Sequence, residues 1–502
     1  MSTISGVSSN LIPLIQSSLD INNQLTDLSR QLGTGQKADT YSGLGPQSGV
    51  AMALSGQLSA IGSFDDTITA VGPNINLQQS VLQQIGSIAS ATRASIVGQP
   101  VFDIDSSGQT TTQKTALDQL GQILDLLNTK GTNGYLFSGS AVDQPSTDTL
   151  DHILNGNGAQ AGLKQIIAER NQADLGTTPL GRLQIPAPVG STLSINEDVA
   201  GSPFGLKLAS VNSQLTNAVA SGPTGSPPTI SVDLSGGQPN DGETIAFAFT
   251  LPDGSSQTLT LQATSSATPA ANQFTIGATT AMTAANLQAA LSAGVTNIAA
   301  TALPTASTMA AVNDFFGDPP MRVSGAPPSA ATSQVAGTSA DTVIWYTGED
   351  GAGSARSTAT ARIDPTTTVS YGTRANEQGI RWIVQNVAAL AVTTYSASDP
   401  NAAAEYSALT QKVYTNLAVP DGVQNITDIE ASLASAQTAM QTAQDQHKQT
   451  STTLQNMLQS IEGVDQNEVG AQILSLQTSL SASLSTTARL AQLSLVNYLA
   501  PV

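Results

Sequence analysis

Leu11, Leu14, Ser18, Ile21, Leu25, Leu28 and Leu32 recur at alternating steps of three and four, the spacing that gives a helix one narrow apolar seam. Near the other end Ile426, Ile429, Leu433, Ala436, Met440, Ala443, His447, Thr450, Leu454, Met457 and Ile461 repeat the spacing, and Val469, Ile473, Leu476 and Leu480 begin it again. The second run is out of phase with the first by one residue beside Gly463, which predicts a joint between two helical segments. The faces flanking these seams are rich in Ser, Thr, Gln and Asn and poor in Glu/Lys pairs. A helix of that kind holds its shape mainly by packing on another. The economical pairing is N-terminal helix with C-terminal helix, as a bundle within one molecule or as an interface between molecules; periodicity alone does not separate these.

The pattern changes twice between the two ends. Gly33 to Pro46 (GTGQKADTYSGLGP) predicts a loop by its glycine and proline content. From Pro46 to Val97 the residues Val71, Ile75, Leu82, Ile85 and Ala89 keep helical spacing, with Gly49, Gly56, Gly62, Gly72 and Gly86 weighing against one unbroken helix. Leu117, Leu120, Leu124 and Leu127 predict a helix over Thr111 to Lys130, and GYLFSG at Gly134 to Gly139 suits a short strand or tight turn. Asp143 to Tyr371 is then rich in Thr, Ser, Gly and Pro with short alternating runs. Its clearest signal is Thr244 to Leu261: Ile245, Phe247, Phe249 and Leu251 share one face, Pro252-Asp253-Gly254 supplies a turn, and Leu259 and Leu261 return on a partner strand. Val343 to Tyr346 and Thr358 to Ile363 are further strand candidates, and Thr283 to Ala293 reads as a short amphipathic helix. Helical spacing resumes near Arg374 with Ile380, Ile383, Val387 and Leu390.

The expected fold class is α+β: a long discontinuous helical bundle or coiled coil built from both termini, with an inserted mainly-β central domain. In segments, 1–34 would pair with 464–502 and 45–142 with 372–463, while 143–371 forms a surface-facing insertion of one or two subdomains. Such insertions sit where both of their ends emerge together.

Composition narrows the chemistry. With no cysteine among 502 residues, disulfides, zinc thiolates and cysteine nucleophiles are excluded. A formal net charge of -19 with 17 scattered Lys and Arg argues against nucleic acid as a partner. No run approaches the roughly 18 apolar residues needed to span a bilayer, so membrane insertion is not expected. The opening stretch MSTISGVSSNLIPLIQSSLD has no Lys or Arg before Arg30 and no apolar core of signal-peptide length, so a Sec signal is not expected. His152 and His447 are the only histidines. His152 lies in a polar, loop-like stretch, and neither histidine adjoins a nucleophile elbow. His447, with Thr450, falls in the helical seam, where polar residues set register. Asp103 and Asp105 in FDIDSSG lack the later glutamate of a calcium loop. Gly351-Ala352-Gly353 and Asn155 to Gly158 lack the strand-loop-helix context of a phosphate site. No carboxylate pair stands out for glycoside hydrolysis. No cofactor, metal or catalytic residue is expected, and the chain reads as a structural subunit, not an enzyme.

Three segments carry a resemblance. Leu25 to Lys37 (LTDLSRQLGTGQK), Asn133 to Gly139 (NGYLFSG) and Leu493 to Leu499 (LSLVNYL) are similar, in that order, to the bacterial flagellin superfamily, and within it to the hook-filament junction, or hook-associated, proteins. Where that family usually has Ser-Asp-Asp-Pro, this chain has Tyr41-Ser42-Gly43-Leu44-Gly45-Pro46. The resemblance implies export by the flagellar type III apparatus with a chaperone, and an extracellular place in the flagellum. It also implies self-association in a helical or ring assembly beside hook-associated protein 1 and flagellin. The helices before Gly33 and after Gly463 would then serve assembly through Leu11, Leu14, Ile21, Leu25, Leu28 and Leu32 on one side. Val469, Ile473, Leu476, Leu480, Leu484, Leu495 and Tyr498 would serve on the other. A filament-forming flagellin, and a surface adhesin or glycan-binding activity of the insertion, are the alternatives.

Overall fold

The computed structural model describes residues 5–98, 102–420 and 422–498, with side chains described over 12–98, 102–420 and 422–492. In chain order α1 (Ser5–Thr34), α2 (Ser48–Gly98) and α3 (Thr111–Leu127) lead to a small hairpin, β1 (Lys130–Gly131) and β2 (Gly134–Tyr135). The central region follows with α4 (Leu150–Asn155), α5 (Leu163–Leu175), β3 (Leu183–Gln184), β4 (Thr192–Glu197), β5 (Lys207–Ser213), β6 (Val219–Thr224) and β7 (Thr229–Asp233). It continues through β8 (Thr244–Thr250), β9 (Ser256–Thr264), β10 (Gln273–Thr275), α6 (Thr280–Phe315), β11 (Met321–Ser324), β12 (Ser333–Ala336), β13 (Thr360–Arg362) and β14 (Thr368–Ser370). Helices α7 (Gln378–Val392), α8 (Ala402–Asn416), α9 (Ile426–Glu462) and α10 (Gln466–Tyr498) complete the chain. The fold is α+β, with long helices at both ends and small, largely antiparallel sheets in the centre.

Two compact units divide the chain. One, residues 72–360 and 370–436, contains the sheets. Their orders are β3-β4-β7-β6 and β10-β9-β8-β5, antiparallel except for the parallel β9–β10 pair. The predicted hairpin is β8–β9: Phe247 faces Leu259 and Thr250 faces Ser256, and Gly254 turns the chain at φ +81. Ile245, Phe247 and Phe249 are fully buried on one face, as a period of two requires. They share a core with Ile195 and Ile230 of the other sheet and Leu287, Leu291 and Val295 of α6.

α6 departs from the sequence reading. Its 36 residues replace the short helix expected over Thr283 to Ala293. Thr305 through Ala311 are buried in an unbroken row, so the helix is covered on all sides and shows no stripe for periodicity to detect. α4 and α5 likewise add helix where alternation suggested strand and loop, and His152 lies in α4 rather than in a loop. Val343 to Tyr346 is not a strand; single bridges join Tyr346 to Thr147 and the preceding Thr342 to Ala161.

The two ends of the insertion are stitched together within this unit. Ala375 N donates to Phe137 O at 2.8 Å and Gly139 N to Thr373 O at 3.0 Å, around a fully buried Phe137. Gly134 at φ +124 would bring a Cβ within 2.4 Å of Val142 O, so the aromatic loop depends on glycine there. α3 starts on a capping box between Thr110 and Gln113, and Gln113 Nε2 also donates to Thr393 O at 2.7 Å, fixing the end of α7.

The other unit, residues 1–71, 361–369 and 437–502, holds α1, α10 and the adjoining parts of α2 and α9. The segment 361–369, grouped with the insertion by its alternation, belongs here instead. α2 runs unbroken for 51 residues through all five glycines; in this unit its covered positions Ala51, Leu54, Leu58, Ile61, Asp65 and Ile68 keep the three-four spacing.

Candidate functional site

α1 and α10 lie side by side and antiparallel. At one end Lys37 N donates to Glu462 O at 2.7 Å and Val464 N to Gly35 O at 3.1 Å, and Lys37 Nζ reaches Ile461 O at 2.9 Å. Gly35 takes φ +71. A Cβ on Gly463 would meet Gln459 O at 2.4 Å. The predicted joint at Gly463 is therefore a backbone clasp between two segments of the chain, with a glycine in each. Further along, the hydroxyls of Ser18 and Ser483 meet at 3.0 Å.

On α1 the half-buried positions are Leu14, Ser18, Ile21, Leu25 and Leu28, and then Arg30 and Gln31. Leu32, expected to extend the seam, is 39% exposed. On α10 Val469 is buried, and Gly470, Ile473, Leu476, Leu480, Ser483 and Thr487 are half-buried. Strict alternation after Leu480 lands on Ser483, so Leu484 is turned outward and 55% exposed. The side chains of Leu11, Leu495 and Tyr498 lie outside the described residues. The pair also carries large apolar side chains on its outside: Ile12, Ile15 and Leu19 on α1 and Leu474 and Leu490 on α10, none of them on the heptad seam, together with Leu484. By the Ser18–Ser483 register, all of these except Leu474 sit in the half of the pair remote from the clasp.

α9 in this unit keeps the predicted seam through His447 and at Leu454 and Ile461, but places Ser451 and Leu458 in it where Thr450 and Met457 were expected, leaving those two exposed. Two successive steps of four around His447 correct the drift between 3.6 residues per turn and a 3.5 repeat. His447 itself is buried. Its Nδ1 lies 2.7 Å from Asp65 of α2 and its Nε2 3.6 Å from Asp364 of the β13–β14 turn, with Phe64 beside the ring at 6.0 Å. The Thr366 amide, helped by His447, holds the Asp364 carboxyl below the usual carboxylate range. His152 pairs with Asp148 at 2.9 Å. Among the described residues neither imidazole bonds a serine hydroxyl, and no group of three His, Asp or Glu is placed to hold a metal ion. Nor is any described helix long and apolar enough to cross a membrane.

No family model matches the sequence, and no curated protein matches it. Among solved structures, the chain is similar to the crystal structure of FlgL from Xanthomonas campestris. Identity is 11%, 86% of this chain and 99% of that chain are covered, and the TM-score is 0.24. A likeness at that identity and score carries no inference about the chemistry or partners of this chain.

Proposed function

We propose that this chain is a structural subunit of the bacterial flagellum, a hook-filament junction protein that assembles through its terminal helices. The observation that carries the reading is the half-finished α1–α10 pair. Its seam is largely half-covered and is interrupted by Ser18, Gln31, Ser483 and Thr487, while Ile12, Ile15, Leu19, Leu484 and Leu490 stand exposed along its remote half. Covering one such side chain contributes about 1.5 to 3 kcal/mol, so a ring of copies would bury what one copy leaves in water. Leu14, Ile21, Leu25 and Leu28 against Ile473, Leu476 and Leu480 then hold each subunit's own pair, and the outer stripe meets the neighbour. The three sequence segments quoted above support the flagellar assignment. It brings with it hook-associated protein 1 and flagellin as axial neighbours, an export chaperone, and an extracellular location.

Deleting the gene and imaging cells by electron microscopy tests the proposal. Hooks without filaments, with flagellin shed to the medium, are expected; normal filaments would reject it.

A further inference from the structure

A cleft of about 500 Å³ opens within the sheet-containing unit, between the C-terminal half of α6, the facing sides of α7 and α8, and the turn joining β8 to β9. Its size lies in the range that encloses small ligands. Nothing in the assembly reading uses it.

The walls are polar, and their charges are already matched. Arg170 binds Asp174 at 2.8 Å and Asp314 at 2.6 Å, and Lys412 binds Asp253 at 2.7 Å. A charged ligand would have to displace one of these partners. The carboxamides are different. Gln385 Nε2 reaches Asn313 Oδ1 only at 3.4 Å, Asn416 Nδ2 donates to Asn386 Oδ1 at 2.9 Å, and Gln334 Nε2 donates to Asp314 at 2.6 Å. Among the described residues no hydrogen bond engages Gln385 Oε1, Asn416 Oδ1, Gln334 Oε1 or the side-chain Nδ2 of Asn313. Three acceptors and one donor are thus left open around one space. The apolar part of the wall is Met309, Val312 and the indole of Trp382, whose Nε1 is fixed on Asn416 O at 2.7 Å.

Neutral side chains with open hydrogen-bonding positions, beside an apolar and aromatic surface, suit a ligand with many hydroxyls, no charge and one less polar face. We propose that this cleft binds a neutral mono- or disaccharide. Its polar recognition falls to Gln385, Asn313, Asn416 and Gln334, with Trp382 supplying the apolar wall.

The purified full chain is titrated with glucose, N-acetylglucosamine and maltose, with glucuronate and glucosamine as anionic and cationic controls. Binding is read by ligand-detected NMR and calorimetry. Saturable binding of at least one neutral sugar, tighter than either charged control, is expected. Gln385→Leu and Asn313→Ala should each weaken it by about fivefold, the loss of one hydrogen bond, whereas Leu474→Ser, on the outside of α10, should leave it unchanged. Asn313 is exposed, so Asn313→Ala remains decisive if Gln385→Leu lowers the melting temperature. No saturable signal from any neutral probe up to about 20 mM, full affinity in Asn313→Ala, or preference for a charged control overturns the proposal.

Discussion

The apolar surfaces around α6 and along α1 and α10 are made differently. Around α6, Phe247, Phe249, Leu287, Leu291 and Val295 are fully enclosed by two sheets and a helix. In α1 and α10, Val469 is the one described residue that reaches full burial, and the rest of the seam is half-covered. The first surface closes on itself within one molecule. The second stops partway, at a stage where each added contact still removes apolar area from water. Burial completed within a chain supports its own folding, and burial left incomplete in long paired helices is the physical basis of association.

Predicted changes in monomer stability grade this contrast. Phe247→Ala should lower the unfolding free energy by about 3 to 5 kcal/mol in urea titration; a cost under 1 kcal/mol would mean the enclosed core is not what holds its unit. Gly463→Ala forces a Cβ to within 2.4 Å of Gln459 O and should cost about 1 to 3 kcal/mol. Hydrogen exchange should speed up at the Lys37 and Val464 amides while the β8–β9 amides stay protected. Ile473→Ala should cost the isolated monomer about 1 kcal/mol, well below the value for an enclosed residue. If it equalled Phe247→Ala, the terminal pair would be a finished core and the contrast would fail.

Glu405 works against the enclosed unit. Burial, with Asp399 nearby, raises its carboxyl from 4.5 to about 7. The folded state therefore holds a proton that the unfolded state releases, and stability should be greatest below pH 4.5 and fall as pH rises to about 7. The group is about half exposed, so the drop should be about 1 kcal/mol, and Glu405→Gln should remove that part of the slope. Smallest on this scale is the triple change of Ile12, Ile15 and Leu19 to Ser, expected to stay within about 0.5 kcal/mol of the parent. Light scattering should nevertheless find assembly abolished, and assembly at the parent's rate would remove the outer stripe from the interface.

The sequence disclosed what repeats in step with a backbone period. The β8–β9 hairpin was legible because Ile245, Phe247 and Phe249 alternate up to a Pro-Asp-Gly turn, and the Gly463 joint because the apolar phase slips there. Thr450, Met457 and Leu484 were misplaced by one residue, since a fixed heptad neither anticipates the extra step of four at His447 nor separates Ser483 from its larger neighbour. α6 was cut short because Ala, Ser and Thr buried on every side leave no contrast to read. The saccharide cleft had no signal at all. Asn313, Gln385, Asn416 and Asp253 come from separate segments that only the folded chain brings together.

The clasp between Gly35–Lys37 and Glu462–Val464 has a consequence in time. It joins Lys37 to Ile461, 424 positions further along, so α1 leaves the ribosome well before its partner α10, on the order of a minute. Closing so long a loop is entropically slow, and local contacts such as the β8–β9 hairpin form well before it. α1 therefore waits for its partner, and through that interval its leucines and isoleucines are open to any other apolar surface in the cell.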